Sequence, residues 1–180
     1  MKSISNTKTG FTIVELLIVI VVIAVLASIS IVAYTGIQER ASKSRVQSDI
    51  TQIVKAISLA REQDSKTLRS MTGSGGTMSP CIQKTTGTDL AALPSTDTCW
   101  TAYNNFLNLI SEKSGMDIRG LKDPWGRPYY IDENEGESVA YICTQDTVAM
   151  FSNPFVTGYV RHSWTPQYNV PLSRYGGCTT

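Results

Sequence analysis

The stretch TGFTIVELLIVIVVIAVLAS, residues 9–28, decides the fold of this chain. No residue from Leu16 to Ala27 is polar, and the apolar character extends from Phe11 to Ala33. Strands rarely exceed about 10 residues, whereas a helix needs about 20 apolar residues to cross a bilayer. At the helical rise the run measures about 35 Å, so it predicts a helix that can span the hydrocarbon core.

One carboxylate, Glu15, lies near the start of this run and limits what the run can be. A secretory signal peptide would have a small-residue cleavage site after the run, and Ala24, Ala27 and Ser28 offer one. An acid is out of place in a signal-peptide core, however, and the helical periodicity continues beyond this point. A plain membrane anchor leaves Glu15 unexplained, because a carboxylate inside a membrane segment costs roughly 2.5 kcal/mol near the centre.

The sequence becomes amphipathic after Tyr34. Apolar residues recur there at steps of four and three on one helical stripe, namely Val46, Ile50, Ile53, Ile57 and Ala60. Charged residues, Arg61 among them, are expected mostly off this stripe. Because no proline precedes Pro80, one helix is predicted from about Thr12 to Leu68, with Gly36 as its weak point.

Composition and cysteines bound the rest of the chain. It has 180 residues, a net charge of +1 and 42% hydrophobic residues, so nothing indicates a general polyanion binder. The four cysteines lack the spacing of a zinc or redox site, and their even number behind a membrane-type segment favours two disulfides in an oxidising compartment. Four free thiols in a cytosolic domain are the alternative. Three pairings are possible, and pairing of neighbours is preferred: Cys81–Cys99 and Cys143–Cys178.

The part after the long helix predicts a small antiparallel sheet. Ser70–Pro80 is a turn-rich exit from that helix, and Thr101 is expected to cap a short helix that ends at Gly115. Three short strands are predicted at Tyr129–Ile131, Val139–Cys143 and Val148–Phe151. In DPWGRPYYI, Trp125 is expected to fill the core, and DENEGE, residues 132–137, is expected to form a solvated hairpin turn.

Enzyme function is not indicated by the residues. The only histidine is His162, no nucleophile-elbow motif is present, and GSGG at residues 73–76 lacks the Lys-Ser/Thr of a phosphate loop. We therefore expect no catalytic residue, no metal site and no cofactor. Aromatic residues of the tail could contact glycans, DNA or other subunits, but packing explains them as well: Tyr159, Trp164, Tyr168 and Tyr175.

The stretch KTGFTIVELLIVIVVIAVLASISIVAY, residues 8–34, resembles the N-terminus of type IV pilins and of the pseudopilins of type II secretion. The resemblance rests on Gly10, Phe11, Thr12, Glu15 and the apolar run. It implies cleavage between Gly10 and Phe11 by a membrane-embedded prepilin peptidase, which also methylates the new amine of Phe11. It further implies that Glu15 pairs with the Phe11 amine of a neighbouring subunit when the helices, stored in the membrane, assemble into a filament core.

Two departures from this family bear on the expectation. Many members have a proline about twenty residues into the mature helix, where this chain has Val32 and then Gly36. The DPWG element resembles one in the major pseudopilins, which hold calcium through acids in a C-terminal loop. Residues 144–180 contain the single acid Asp146, so a calcium site is expected to be missing, and the Cys143–Cys178 bridge is suggested to order that loop instead.

The resulting prediction is an α+β pilin fold, in which a long N-terminal helix packs on a small antiparallel sheet. Its parts are a cleaved leader (1–10), a transmembrane and filament-core helix (11–34), an amphipathic helix (35–69) and a disulfide-bonded head (70–180). Three functions stay open: a subunit of a pilus-like extracellular filament, a major-type pseudopilin, and a membrane-anchored binding domain that never polymerises. The expected partners are the peptidase, identical or related subunits, assembly-platform proteins and membrane lipid; nucleic acid is undecided. The head would lie outside the cytoplasm, at the cell surface or in the periplasm.

Overall fold

The computed structural model describes residues 10–73, 78–136, 143–158, 160–161 and 168–178. They form two compact units, one ending at Lys43 and the other beginning at Ser44. Helix α1, Ile13–Asp64, contributes to both units. The predicted α+β class is confirmed, since the chain combines a long apolar N-terminal helix with a small antiparallel sheet of three strands, as in the pilin fold.

Helix α1 ends four residues earlier than the prediction of Leu68. The backbone of Ser65 turns to φ 54°, in the left-handed region, and this stops the helix just after Asp64. A separate short helix, α2, then covers Leu68–Thr72. Its N-cap is Thr67, whose hydroxyl accepts a hydrogen bond from the backbone N–H of Ser70 at 3.2 Å. This local cap restarts the helix where the apolar period alone indicated continuity.

Two further helices follow, α3 at Ser79–Ile82 and α4 at Thr98–Ser114. The prediction that Thr101 caps α4 is wrong, because the N-cap is Asp97, whose carboxylate accepts a hydrogen bond from the N–H of Cys99 at 2.8 Å. Aspartate is among the best N-cap residues, and it lies before the first apolar residue of the helix. The predicted stop at Gly115 is confirmed, with φ 69° in the left-handed region.

The sheet has the order β1-β2-β3, with β1 at Tyr129–Asp132, β2 at Thr147–Met150 and β3 at Tyr168–Asn169. Both pairs are antiparallel, and Tyr130 lies opposite Ala149. The strands predicted at residues 129–131 and 148–151 correspond to β1 and β2 within one residue. The strand predicted at Val139–Cys143 falls, apart from Cys143, outside the described residues, and β3 was not predicted.

The core of the second unit joins the stripe of α1 to α4 and to the sheet. All five residues predicted for the stripe are buried: Val46, Ile50, Ile53, Ile57 and Ala60. Tyr129 of β1 is fully buried and donates its hydroxyl to the carboxylate of Asp49 at 2.8 Å. Burial raises the pKa of the Tyr129 phenol, and the hydrogen bond to Asp49 adds to this effect. The phenol therefore stays a donor at any physiological pH.

Candidate functional site

The start of α1 is an exposed segment with a capping box. Thr12 precedes the first helical residue, and its backbone N–H and hydroxyl both donate to Glu15 Oε2, at 2.9 and 2.8 Å. The N–H of Glu15 donates in return to the Thr12 hydroxyl at 3.2 Å. This reciprocal Thr-x-x-Glu arrangement satisfies backbone donors that a helix start leaves without partners. The spacing of three residues between Thr12 and Glu15 is visible in the sequence, whereas the resemblance implies only a charge-pairing role for Glu15.

Gly10 and Phe11 lie directly ahead of this capping box. Both are exposed, and 89% of Phe11 is accessible to solvent. A side chain at Gly10 would meet nothing within 4 Å, so no contact in the described structure requires glycine at this position. Glu15 Oε1 accepts no hydrogen bond from the described residues, so this oxygen is the part of the carboxylate that the capping box leaves available.

The segment from Ile13 to Ser30 is long and apolar enough to cross a membrane, with a mean hydropathy of 3.0 and no part of it buried within the protein. Two hydroxyls interrupt this surface, and both donate to the carbonyl four residues earlier: Ser28 to Ala24 at 2.7 Å and Ser30 to Leu26 at 2.8 Å. Such bonds satisfy a hydroxyl without water, so the segment fits an apolar environment all round.

A buried charge cluster lies in the second unit, and sequence reasoning missed it. Arg61 was expected off the apolar stripe, yet only 2% of it is exposed. Its Nη2 contacts Glu135 at 3.1 Å and makes a very short contact with Asp146, and its Nη1 donates to the carbonyl of Pro171 at 2.7 Å. One guanidinium therefore joins α1 to three later segments. We call Arg61, Glu135, Asp146, Pro171 and Ser173 the C-terminal clamp.

Glu135 is the second anchor of the C-terminal clamp. The interpretation of residues 132–137 as a solvated turn is wrong, because Glu135 is fully buried and Glu133 is only 3% exposed. Glu135 accepts hydrogen bonds from the N–H and the hydroxyl of Ser173, at 2.9 and 2.8 Å. Its side chain lies so close to Gly176 that a Cβ there would collide with it. Glu135 therefore links the guanidinium of Arg61 to the C-terminal segment.

The C-terminal clamp holds two carboxylates against one guanidinium, so one negative charge is in excess. Burial raises the pKa of Asp146, and the positive charge of Arg61 opposes this rise. Asp146 also accepts a hydrogen bond from the N–H of Glu135 at 2.8 Å. Among the described residues, no group of three or more His, Cys, Asp or Glu side chains has the geometry of a metal site.

Two disulfides tie the head. Cys81 of α3 is bonded to Cys99 of α4, and Cys143 is bonded to Cys178 near the C-terminus. These are the pairings of neighbouring cysteines that were preferred from the sequence. The second bond and the C-terminal clamp hold the same end of the chain, one covalently and the other by charge. The suggestion that the Cys143–Cys178 bridge orders the C-terminal loop in place of calcium stays a prediction, and the C-terminal clamp adds a second attachment.

The DPWG element is a charged turn. Asp123 accepts hydrogen bonds from the backbone N–H groups of Trp125 and Arg127, at 3.0 and 2.8 Å, and from Arg127 Nε at 2.8 Å. Arg127 also donates to the carbonyl of Ser152 at 3.2 Å. The prediction that Trp125 fills the core is wrong, because 46% of it is exposed. The buried Asp123–Arg127 pair holds the turn in place of the indole.

The single histidine and the aromatic residues of the tail were the remaining candidates from the sequence. His162 and the tail residues Tyr159 and Trp164 lie outside the described residues. Tyr168 is half-buried in β3, and Tyr175 donates its hydroxyl to Glu62 at 3.3 Å. Packing and hydrogen bonding therefore involve both of the tail aromatics that the structure describes.

Comparison with known proteins gives two matches. Residues 5–31 match the family model of the prokaryotic N-terminal methylation motif. Over 137 residues the chain is 28% identical to the type II secretion system core protein G of Escherichia coli (strain K12). The aligned region covers 76% of this chain and 79% of that protein. No solved structure matches the chain. The motif covers the capping box and the apolar segment, and the longer alignment extends well beyond it.

Proposed function

We propose that this chain is a pilin-like subunit that builds a pilus-like extracellular filament, a proposal supported by the prepilin-type methylation motif at residues 5–31 and by the similarity to type II secretion system core protein G. In this proposal residues 1–10 are a leader, removed between Gly10 and Phe11 by a prepilin peptidase that methylates the new amine. Residues 11–34 span the membrane and later form the filament core. Residues 35–69 join them to the head, residues 70–180.

The observation that carries the proposal is an apolar helix exposed on all sides with one acid at its start. Each long apolar side chain from Ile13 to Leu26 is at least half exposed, so the segment needs lipid or other helices around it. Cleavage would place a cationic amine one turn before Glu15. Glu15 Oε1 can accept a hydrogen bond from that amine of a neighbouring subunit, while Oε2 keeps its hydrogen bonds in the capping box. In a dry core an unpaired carboxylate is costly, so this pairing would fix the register of assembly.

The major-type pseudopilin of a type II secretion system is the second candidate. It is favoured by the similarity to core protein G and by the Asp123–Arg127 turn, which falls in the DPWG element that resembles one in the major pseudopilins. Loss of the gene separates the two functions. A filament subunit is required for fibres that can be sheared from the cell surface, whereas a pseudopilin is required for release of secreted enzymes.

The cleavage step is tested at Gly10. Glycine suits a backbone that must enter a narrow protease site, because it has no side chain. Gly10→Leu should leave full-length precursor in the membrane when the chain is expressed with a prepilin peptidase. The readout is the mass of the purified protein. A product beginning at a methylated Phe11 in this variant would refute the cleavage assignment.

The assembly step is tested at Glu15 with two matched variants. Glu15→Gln can still close the capping box but has no charge, so it should be inserted and cleaved, yet give few filaments. Thr12→Val removes the hydroxyl from the capping box and keeps the charge, so filaments should persist. Filament mass after shearing is the measurement. Normal filaments from Glu15→Gln would mean that Glu15 serves the helix start and not subunit pairing.

A further inference from the structure

The C-terminal loop is the place where the resemblance implies a metal ion, and its residues do not fit one. The major pseudopilins hold calcium through acids of this loop, whereas residues 144–180 of this chain contain the single acid Asp146. Calcium takes about six to eight oxygen ligands, commonly with carboxylates among them. The nearest second acid is Glu135 of the C-terminal clamp, and both acids are already bound to other groups.

Every carboxylate oxygen of the C-terminal clamp has a donor. Asp146 Oδ1 accepts the N–H of Glu135 at 2.8 Å, and Asp146 Oδ2 contacts Arg61 Nη2. Glu135 Oε1 accepts the N–H and the hydroxyl of Ser173, at 2.9 and 2.8 Å. Glu135 Oε2 lies 3.1 Å from Arg61 Nη2. A metal ion would have to displace these donors and would lie beside a guanidinium of like charge, which repels it.

The guanidinium of Arg61 lies where the two acids need a positive charge. Its Nη2 contacts both of them, and its Nη1 donates to the carbonyl of Pro171 at 2.7 Å. Two carboxylates and a backbone carbonyl are oxygen ligands of the kind that calcium takes. Arg61 is 2% exposed and both acids are fully buried, so water and salt screen this charge only weakly.

We propose that Arg61 is a built-in cation that holds the C-terminal segment to the head in place of calcium. A guanidinium is always charged and presents its donors in a fixed fork, so it joins two acids without an ion from solution. The segment then stays attached at any calcium concentration. The inference concerns the head alone, and it does not depend on cleavage or on filament assembly.

The test is hydrogen exchange of the full chain in detergent, measured by mass spectrometry with either millimolar CaCl₂ or EDTA. The backbone N–H groups of Glu135 and Ser173 both donate within the clamp, so the peptides that contain them report whether it is closed. In the wild type their exchange should differ less than twofold between the two conditions. A larger slowing by calcium would mean that the intact clamp responds to the metal, and this would overturn the proposal.

Arg61→Ala tests the guanidinium itself. In EDTA both reporter peptides should exchange at least tenfold faster than in the wild type, because the two acids are left without a counter-charge. Millimolar calcium should slow this exchange at least threefold, since both carboxylates and the carbonyl of Pro171 become available to the ion. Mg²⁺ should act less, because it demands a stricter geometry and dehydrates reluctantly. Exchange at the wild-type rate in EDTA, or no response to calcium, would overturn the proposal.

Three further variants keep the test decisive even where circular dichroism shows that Arg61→Ala is unfolded. Arg61→Lys keeps the charge, so its exchange should stay independent of calcium. Combining Arg61→Ala with Asp146→Asn removes one acid together with the guanidinium, so calcium should have little effect. Lys55→Ala, an exposed position on the same helix, should behave as the wild type. A threefold or larger slowing by calcium in any of these three variants would contradict the assignment of Arg61 as the cation.

Discussion

Arg61 joins helix α1 to the C-terminal segment through charge and hydrogen bonds. Its guanidinium is almost fully buried and contacts Glu135, Asp146 and the carbonyl of Pro171. Removing one partner from such a cluster leaves charges that water cannot reach, and this costs more than the intact cluster contributes. The residues that it joins lie far apart in the sequence, so the loss should be felt by the whole head.

Replacing Arg61 by Leu should therefore destabilise the head strongly. The expected loss in free energy of unfolding is about 3–5 kcal/mol, measured by urea denaturation followed by circular dichroism. Arg61→Lys keeps the charge but loses the planar fork, so it should lose less. Lys55→Leu, an exposed position on the same helix, is the matched control and should change stability by no more than about 0.5 kcal/mol. Similar losses in Arg61→Leu and Lys55→Leu would contradict the role of the clamp.

Asp146 makes the stability of the head depend on pH. Burial raises its pKa above the ordinary aspartate value of 3.8. Between the unfolded and folded pKa values, the folded state holds a proton that the unfolded state has released, so stability falls as pH rises. Asparagine does not titrate. The stability of Asp146→Asn relative to the wild type should therefore rise as pH increases from about 4 towards neutral, as measured by urea denaturation at each pH.

Asp97 provides a control of opposite sign. A hydrogen bond from Lys84 lowers the pKa of Asp97, so its contribution is present above the unfolded pKa and is lost as pH falls. Asp97→Asn keeps an N-cap residue on α4 and removes the charge pair. Its stability relative to the wild type should fall as pH rises over the same range. If the relative stabilities of Asp146→Asn and Asp97→Asn changed with pH in the same direction, the pKa of Asp146 would not be raised.

The misjudged residues share one physical cause. Arg61 adjoins the apolar stripe, and nothing near it in sequence shows that its counter-charges come from residues 135 and 146. Trp125 looks like a core residue by its size, but the buried Asp123–Arg127 pair occupies the inside of that turn and leaves the indole outside. The burial of Arg61 and the exposure of Trp125 both depend on contacts between residues of different segments, and hydrophobic periodicity does not predict such contacts.

At the scale of elements, prediction worked where the signal was local and repeated. The stripe of α1 follows one period over several turns, so its burial could be read directly from residues 46–60. Helix ends were harder to predict, because a single residue determines each of them. Ser65 ends α1 and Thr67 caps the start of α2. Asp97, rather than Thr101, caps α4. The strand β3 has only two residues, too few to show a period.

Gly115 tests how much one helix end contributes. Its φ of 69° lies in the left-handed region, where a Cβ is unfavourable, although a Cβ there would meet no atom within 4 Å. Gly115→Ala should therefore lower the free energy of unfolding by about 1 kcal/mol through backbone strain alone. Gly115→Asn should lose less, because asparagine tolerates this conformation. Urea denaturation checks both, and equal losses in the two variants would point to a cause other than backbone conformation.

At the scale of the whole molecule, two units present different surfaces. The first exposes a long apolar helix, with large apolar side chains open to solvent from Phe11 to Ile29 and again at Tyr34 and Ile37. The second packs its buried apolar residues into one core and carries both disulfides. The resemblance at residues 8–34 could locate the first unit, because its pattern is local. The C-terminal clamp had no comparable signal, since it joins segments distant in sequence.

A truncation that begins at Ser42 tests whether this division is physical. It removes the exposed apolar segment and keeps the stripe, the sheet, the clamp and both disulfides, so the fragment should be soluble and monomeric without detergent. Sedimentation and flotation with vesicles measure this. A chain beginning at Phe11, which keeps the apolar segment, is the matched control and should float with the vesicles. Flotation or aggregation of the Ser42 fragment would contradict this division, because residues after Lys43 would then expose apolar surface of their own.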